Sequence, residues 1–210
     1  MVEDRGLEAL ADVEEGGQVA FPPARTDGPM SVEAAIARRR SIRDYLHTPI
    51  SLEAIGQLLW SAGGITAQGW FRAAPSAGAC FPLEIYLACE QGLFHYLPQG
   101  HAVVKVRGED LRQGLCEAAH GQQFVADAAI SVIFAAVYER TTGRYGERGI
   151  RYVHTDVGHA AENVHLQAEA LGLGSCPVGA FDDAAVAKVL GLPGEEKPVY
   201  IVPVGVARRA

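Results

Sequence analysis

The sequence predicts an α+β fold, on three observations. Leu83, Ile85 and Leu87 alternate with Glu84, Tyr86 and Ala88, and a turn at Glu90–Gly92 leads into Leu93–Leu97, the pattern of a β-hairpin. Ile150, Val153, Val157, Ala160, Val164 and Leu171 recur at helical spacing and mark one long helix. The predicted strands arrive partly as hairpins and partly between helices, which excludes a regular βαβ alternation.

Each element has a local reason. Ser31 caps a helix over SVEAAIARRR, with Glu33 in its first turn and arginines in its last, the order a helix dipole favours. Ser51 opens a second helix, whose stripe of Leu52, Ile55, Leu58, Leu59 and Ala62 stops at Gly63-Gly64. After the hairpin, Ala102–Val106 reads as a third strand and Glu109–His120 as a helix. Ala129–Val137, β-branched and apolar, reads as a buried strand. The long helix ends at Gly172 and Gly174, and a short helix covers Asp183–Leu190. The last strand, Val199–Val206, is apolar throughout and so requires neighbours on both sides; an interwoven homodimer would supply them. Residues 1–29, rich in Glu, Asp, Gly and Pro, read as an extended N-terminal arm that either wraps a partner or hangs free, and residues 30–210 as the folded domain.

Composition narrows the function. Eighteen Lys+Arg against 25 Asp+Glu leave a formal net charge of −7, unsuited to nucleic acid or an anionic membrane. No apolar run approaches the ~18 residues of a membrane span, and the acidic N-terminus lacks the pattern of a secretory leader. Cys80, Cys89, Cys116 and Cys176 are scattered, as expected for thiols in a reducing cytoplasm.

Against this acidic background Arg38-Arg39-Arg40-Ser41-Ile42-Arg43 stands out: guanidinium forks match phosphate oxygens, and serine adds a neutral donor. Arg208-Arg209 adds two cations if the C-terminus folds back. Two tracts of small residues, Arg72–Ala79 and Gly174–Ala180, allow a planar ligand to approach the backbone. No GxGxxG, GxxxxGK[ST] or GxSxG motif is present. Glu117-x-x-His120 and Glu162-x-x-His165 copy a di-iron ligand pattern, but a strand lies between them where that chemistry needs a four-helix bundle. No metal is expected. His154, His159 and His165 do not share a helical face as an i, i+4 pair would.

RRRSIRDY, RAAPSAGACFPLEIY, YVHTDVGHAAENVHLQAEALGLGSCPVGAFDD and a C-terminal VPVG, in that order, resemble the nitroreductase family of FMN flavoproteins, and within it the SagB-type dehydrogenase branch. The resemblance spans about residues 18–209. It implies a nitroreductase-like, mainly antiparallel central sheet flanked by helices, in an interlocked homodimer with FMN at the interface. By similarity, Arg39 and Ser41 hold the FMN phosphate, with Arg40 nearby and Arg208 and Arg209 matching the C-terminal phosphate contacts, and Arg43 reaches the pyrimidine side of the ring. Pro75, Ser76, Ala77 and Gly78 match the loop packed on the flavin from the second subunit. Gln122 addresses the pyrimidine edge. Pro177, Val178, Gly179 and Ala180 lie along the ring, with a backbone N–H at N5.

The implied activity is hydride transfer from NAD(P)H through flavin N5 to a small nitro, quinone or similar acceptor. One alternative is azoline dehydrogenation on a peptide, with electrons passed to oxygen; another is a flavin-binding role without catalysis. The azoline-oxidising relatives carry Lys-Tyr before the long helix, whereas this chain has Arg144-Tyr145. Arginine is a poor proton acceptor, which counts against azoline dehydrogenation; Tyr145 is the candidate catalytic acid, and the alternative is that Arg144 and Tyr145 are ordinary residues of a connecting loop lining the pocket mouth.

Overall fold

The computed structural model describes residues 6–67 and 71–208. Its strands, β1 (Gln18–Ala20), β2 (Tyr45–Leu46), β3 (Leu83–Cys89), β4 (Gly92–Leu97), β5 (Ala102–Arg107), β6 (Ile130–Val137), β7 (Gly174–Ser175) and β8 (Glu196–Ala207), form one sheet. The order is β1-β5-β4-β3-β6-β8-β2, with β7 also paired to β8. Every strand pair is antiparallel. The helices are α1 (Val32–Arg38), α2 (Leu52–Gly63), α3 (Arg112–Ala118), α4 (Phe124–Asp127), α5 (Glu139–Tyr145), α6 (Arg148–Ala170) and α7 (Asp183–Leu190).

The alternation in each strand divides the core in two. Ile85, Leu87, Val132, Phe134, Val202 and Val204 pack with Ile55, Leu58 and Leu59 of α2 and Val157, Ala160 and Val164 of α6. Tyr86, Ala88, Ile133, Ala135 and Ile201 face the other way, onto Leu115, Val125, Val186 and Leu190 of α3, α4 and α7. Both faces of β6 are therefore covered, which is why its sequence is continuously apolar. Ser31 and Ser51 cap their helices by accepting the N–H groups of Ala34 and Ala54.

Two expectations change. The last strand does not need a second subunit to complete its pairing. β6 lies along one side, while β2 pairs with Val206–Ala207 and β7 with Val204–Gly205 on the other. β2 and β7 are two residues long, too short to leave a periodic signal in sequence. Arg144-Tyr145 is also helical, closing α5, where the sequence suggested a connection leading into the long helix. Among the described residues no helix is long and apolar enough to cross a membrane.

The N-terminal arm packs on its own chain over its described part. A 3-10 turn at Gly6–Leu10 buries Leu7 and Leu10, β1 adds an edge strand to β5, and Phe21 covers Gly56 of α2. Leu10 is fully buried, so Leu10→Ala should lower the free energy of urea unfolding by about 2–4 kcal/mol. A change near zero would show the arm to be detached in solution.

Candidate active site

The first group of expected site residues forms where α1 ends. Arg39 is its C-cap, donating its N–H to Ala35, and the chain then extends. Ser41 bridges to Ser175 of β7, and the Ile42 N–H donates to the Ser175 carbonyl at 2.9 Å. From Ser175 the chain continues along β8: Val178 and Ile201 exchange backbone hydrogen bonds of 2.7 and 3.1 Å. A side chain at Gly179 would rest on the Tyr200 ring. Gln122 Nε2 donates to the Ala119 and Ala180 carbonyls, both at 2.9 Å, so its amide oxygen is the end left to face a ligand. Arg208 leaves β8 and binds Asp44 through its backbone N–H and through Nε, the latter 3.1 Å from Oδ1. Arg39, Arg40, Ser41, Arg43, Gln122, Pro177–Ala180 and Arg208 are thus linked in one region. Arg209 lies outside the described residues.

The arginines of this region differ in their ties. Arg39 Nη1 lies 2.9 Å from His165 Nε2 and its Nε lies 3.7 Å from Glu162. Among the described residues, Arg40 donates only to the carbonyls of Ala37 and Arg39. Arg43 lies over the Phe124 ring at 5.7 Å and, among the described residues, makes no ion pair. His165 is buried, and burial together with the Arg39 charge pushes its pKa down to about 4. The imidazole is therefore neutral near pH 7. Nε2 accepts from Arg39, which leaves the proton on Nδ1 to donate to Ser175 Oγ at 2.6 Å.

The second group surrounds Asp156 of α6, which is buried. Ser76 Oγ donates to Asp156 Oδ2 at 2.7 Å, the Ala77 N–H lies 3.2 Å from both carboxylate oxygens, and Ser76 Oγ accepts the Phe81 N–H. Gly78 has φ +60°, and a Cβ there would collide with Tyr145 Oη. Arg144 Nη1 donates to the Gly78 carbonyl at 2.9 Å, and Tyr145 stands edge-on to Tyr152. Pro75–Gly78 and Tyr145 are thus brought together, away from the first group. Asp156 and His165 lie nine residues apart on α6, which is about 14 Å and half a turn. They occupy the two flanks of its apolar stripe, and each holds one group.

Asp156, His165 and Ser175 are the positions that sequence reasoning missed. His165 stood out in the sequence in a Glu-x-x-His pattern and in the run of long-helix histidines, neither of which points to Arg39; here it braces that arginine. Among the described residues no three His, Cys, Asp or Glu side chains gather as a metal site. A cavity of about 770 Å³ opens beside Gly179, between α6, the start of α7 and β8, with Tyr138, His154 and Tyr200 in its lining.

Two outcomes follow for the supports. His165 protonates more readily in the unfolded chain, near pH 6.5, than in the folded one. Its stabilising effect is complete above about pH 6.5 and is lost as the pH falls towards 4, by up to roughly 3 kcal/mol. The stability gap between the native chain and His165→Gln should therefore narrow from pH 7 to pH 4 in urea unfolding; a constant gap would overturn the neutral assignment. Asp156→Ala leaves Ser76 and Ala77 without their acceptor and should cost about 2–3 kcal/mol, with Asp156→Asn losing less. Equal stabilities for both variants and the native chain would refute the anchoring role.

Comparison with known proteins agrees with the architecture. The sequence profile described as "Nitroreductase family" matches residues 36–206. A Methanocaldococcus jannaschii protein described as a "putative nitroreductase" is 42% identical over 182 residues, 84% of this chain and 91% of its own length. The Escherichia coli microcin B17-processing protein McbC is 25% identical over 156 residues, 68% of this chain and 57% of McbC. A crystal structure from Ralstonia eutropha, also titled a "putative nitroreductase", superposes with a TM-score of 0.83 at 28% identity, covering 92% of this chain and 90% of that one. With the profile spanning most of the chain, and the antiparallel sheet and helical layers matching a solved relative, this protein belongs to the nitroreductase family.

Proposed function

We propose that the protein is an FMN-dependent oxidoreductase that uses NAD(P)H to reduce small nitro, quinone or similar acceptors and works as a homodimer with FMN at the subunit interface. The observation that carries this reading is the separation of two half-sites on opposite flanks of α6. One chain presents its arginines and its Ser76 loop to different sides, so a second copy related by a two-fold axis would complete each site. Exposed apolar residues accompany both halves: Val32 and Ile36 on α1 beside the arginines, and Phe71 ahead of the Ser76 loop.

The residues fit the cofactor. Arg43 makes no ion pair within the described chain, and Arg40 is held only by neutral carbonyls, so both can meet an anion. Gly179 carries no side chain where the Pro177–Ala180 backbone passes the 770 Å³ cavity. Arg39, oriented by His165, together with Arg40, Ser41, Arg208 and the C-terminal Arg209 would hold the phosphate. Arg43 would face the pyrimidine end, where a cation favours the reduced, anionic ring. Gln122 would offer its amide oxygen to the same edge. Pro75, Ser76, Ala77 and Gly78 would come from the partner copy, kept in shape by Asp156. Bound FMN supplies hydride chemistry at N5.

The likeness to McbC favours a second reading, dehydrogenation of an azoline ring in a peptide, with Tyr145 beside Gly78 as the acid. Arg144, bonded to the Gly78 carbonyl, stands where the azoline-oxidising relatives have lysine. The purified protein should be yellow, run at twice the chain mass, and bleach under anaerobic NAD(P)H. Yellow protein that no nicotinamide reduces would transfer the case to the second reading or to a flavin-binding role without catalysis. Protein that takes up no FMN would refute all three. Arg39→Ala should weaken FMN binding about tenfold or more, the loss of one charge-assisted phosphate contact.

A further inference from the structure

We propose that Tyr138 and His154 form a proton-delivery dyad for carbonyl acceptors such as quinones bound in the cavity beside Gly179. The inference rests on the flavin reading above and adds to it the source of the proton.

Tyr138 follows β6 directly and His154 lies nearly two turns into α6; their side chains meet with Tyr138 Oη 2.7 Å from His154 Nε2 and the rings edge-on at 87°. Both line the cavity that holds Gly179, Phe181 and Tyr200. The acceptor would share this cavity of about 770 Å³ with the flavin ring that passes Pro177–Ala180. Tyr138 is half-buried, whereas His154 is on the exposed side of α6. Burial, with the nearby Asp183 adding to it, raises the phenol's pKa, so Tyr138 keeps its proton. Neither Tyr138 nor His154 braces either half-site.

The hydrogen bond can run in two directions. With His154 neutral, Tyr138 donates its proton to Nε2. With His154 protonated, Nε2–H donates to the phenol oxygen, and the Tyr138 O–H turns free to donate into the cavity. A quinone needs two electrons and two protons in total. Bound flavin, once reduced by NAD(P)H, would supply both electrons and one hydrogen nucleus as hydride, and Tyr138 would give the second proton to the carbonyl oxygen. His154 passes its proton to Tyr138 and regains one from water. The charged groups around the pair are Asp183 at the head of α7, Lys197 on β8, and Arg151 one turn earlier on α6. Tyr145, the acid suggested by the sequence, packs against Gly78 in the other half-site.

The test separates the two half-reactions in the flavin-loaded protein. In Tyr138→Phe, flavin reduction by NAD(P)H, which needs no proton donor to a carbonyl, should slow far less than reoxidation by a quinone. Reoxidation by 1,4-benzoquinone should slow by about tenfold to a hundredfold, while reoxidation by ferricyanide, which takes electrons without a proton, should keep its native rate. His154→Gln, which removes the partner of the Tyr138 hydroxyl, should likewise slow reoxidation by 1,4-benzoquinone and keep the native rate with ferricyanide. Independently of activity, the NMR titration of the His154 imidazole should shift in Tyr138→Phe. Native quinone rates in Tyr138→Phe with normal flavin reduction would overturn the dyad and leave the flavin reading intact. Equal slowing with ferricyanide would also overturn it, as a general disturbance of the site. A chain that binds no flavin would remove both.

Discussion

The central constraint in this structure is the set of polar anchors on α6. A helix that packs between α2 and the sheet must bury an apolar stripe, and Val153, Val157, Ala160, Val164 and Ala168 supply it. Asp156 and His165 flank that stripe, buried with it, and each must find partners because an unsatisfied polar group there would be costly. Asp156 finds the Ser76 loop and His165 finds Arg39 and Ser175. The two tracts singled out in the sequence are therefore tied to one rigid element. Their distance is fixed by the helical rise, and their direction by the half-turn between the anchors.

This arrangement assigns different work to neighbouring charges. Arg39 is pre-oriented by a neutral imidazole that accepts its hydrogen bond without adding charge. Arg43 lies on an aromatic face and, among the described residues, makes no ion pair, while Arg208 shares its charge with Asp44. A cationic surface thus survives in a protein with a net charge of −7. The backbone does comparable work at Pro177–Ala180, where pairing with β8 holds the segment flat beside the cavity.

Much of the fold was legible because its signals are local. The Leu83–Leu97 hairpin, β6, α6 and α7 emerge from period-2 or period-3.6 patterns and from serine and glycine caps, which depend on near neighbours in the chain. β2, β7 and α4 are too short to establish a period, and α5 holds little apolar material. The terminal strand shows the limit of such reading. Its composition required neighbours on both sides, but composition does not say whether those neighbours come from the same chain, and here β6, β2 and β7 supply them.

The sequence alone determined that this is an acidic α+β protein with an arginine-serine cluster and two small-residue tracts, and, by likeness of their order, which family it resembles. Only the tertiary structure decided how those parts are apportioned. It placed the arginines with Gln122 and Pro177–Ala180, and the Ser76 loop with Tyr145 on the far flank of α6. It turned His165 from an apparent metal ligand into a brace, and brought Tyr138 onto His154 from sixteen residues away. The reason is physical: a hydrogen bond or a buried charge depends on which atoms meet in space, and residues far apart in sequence meet only once the helix and sheet have packed.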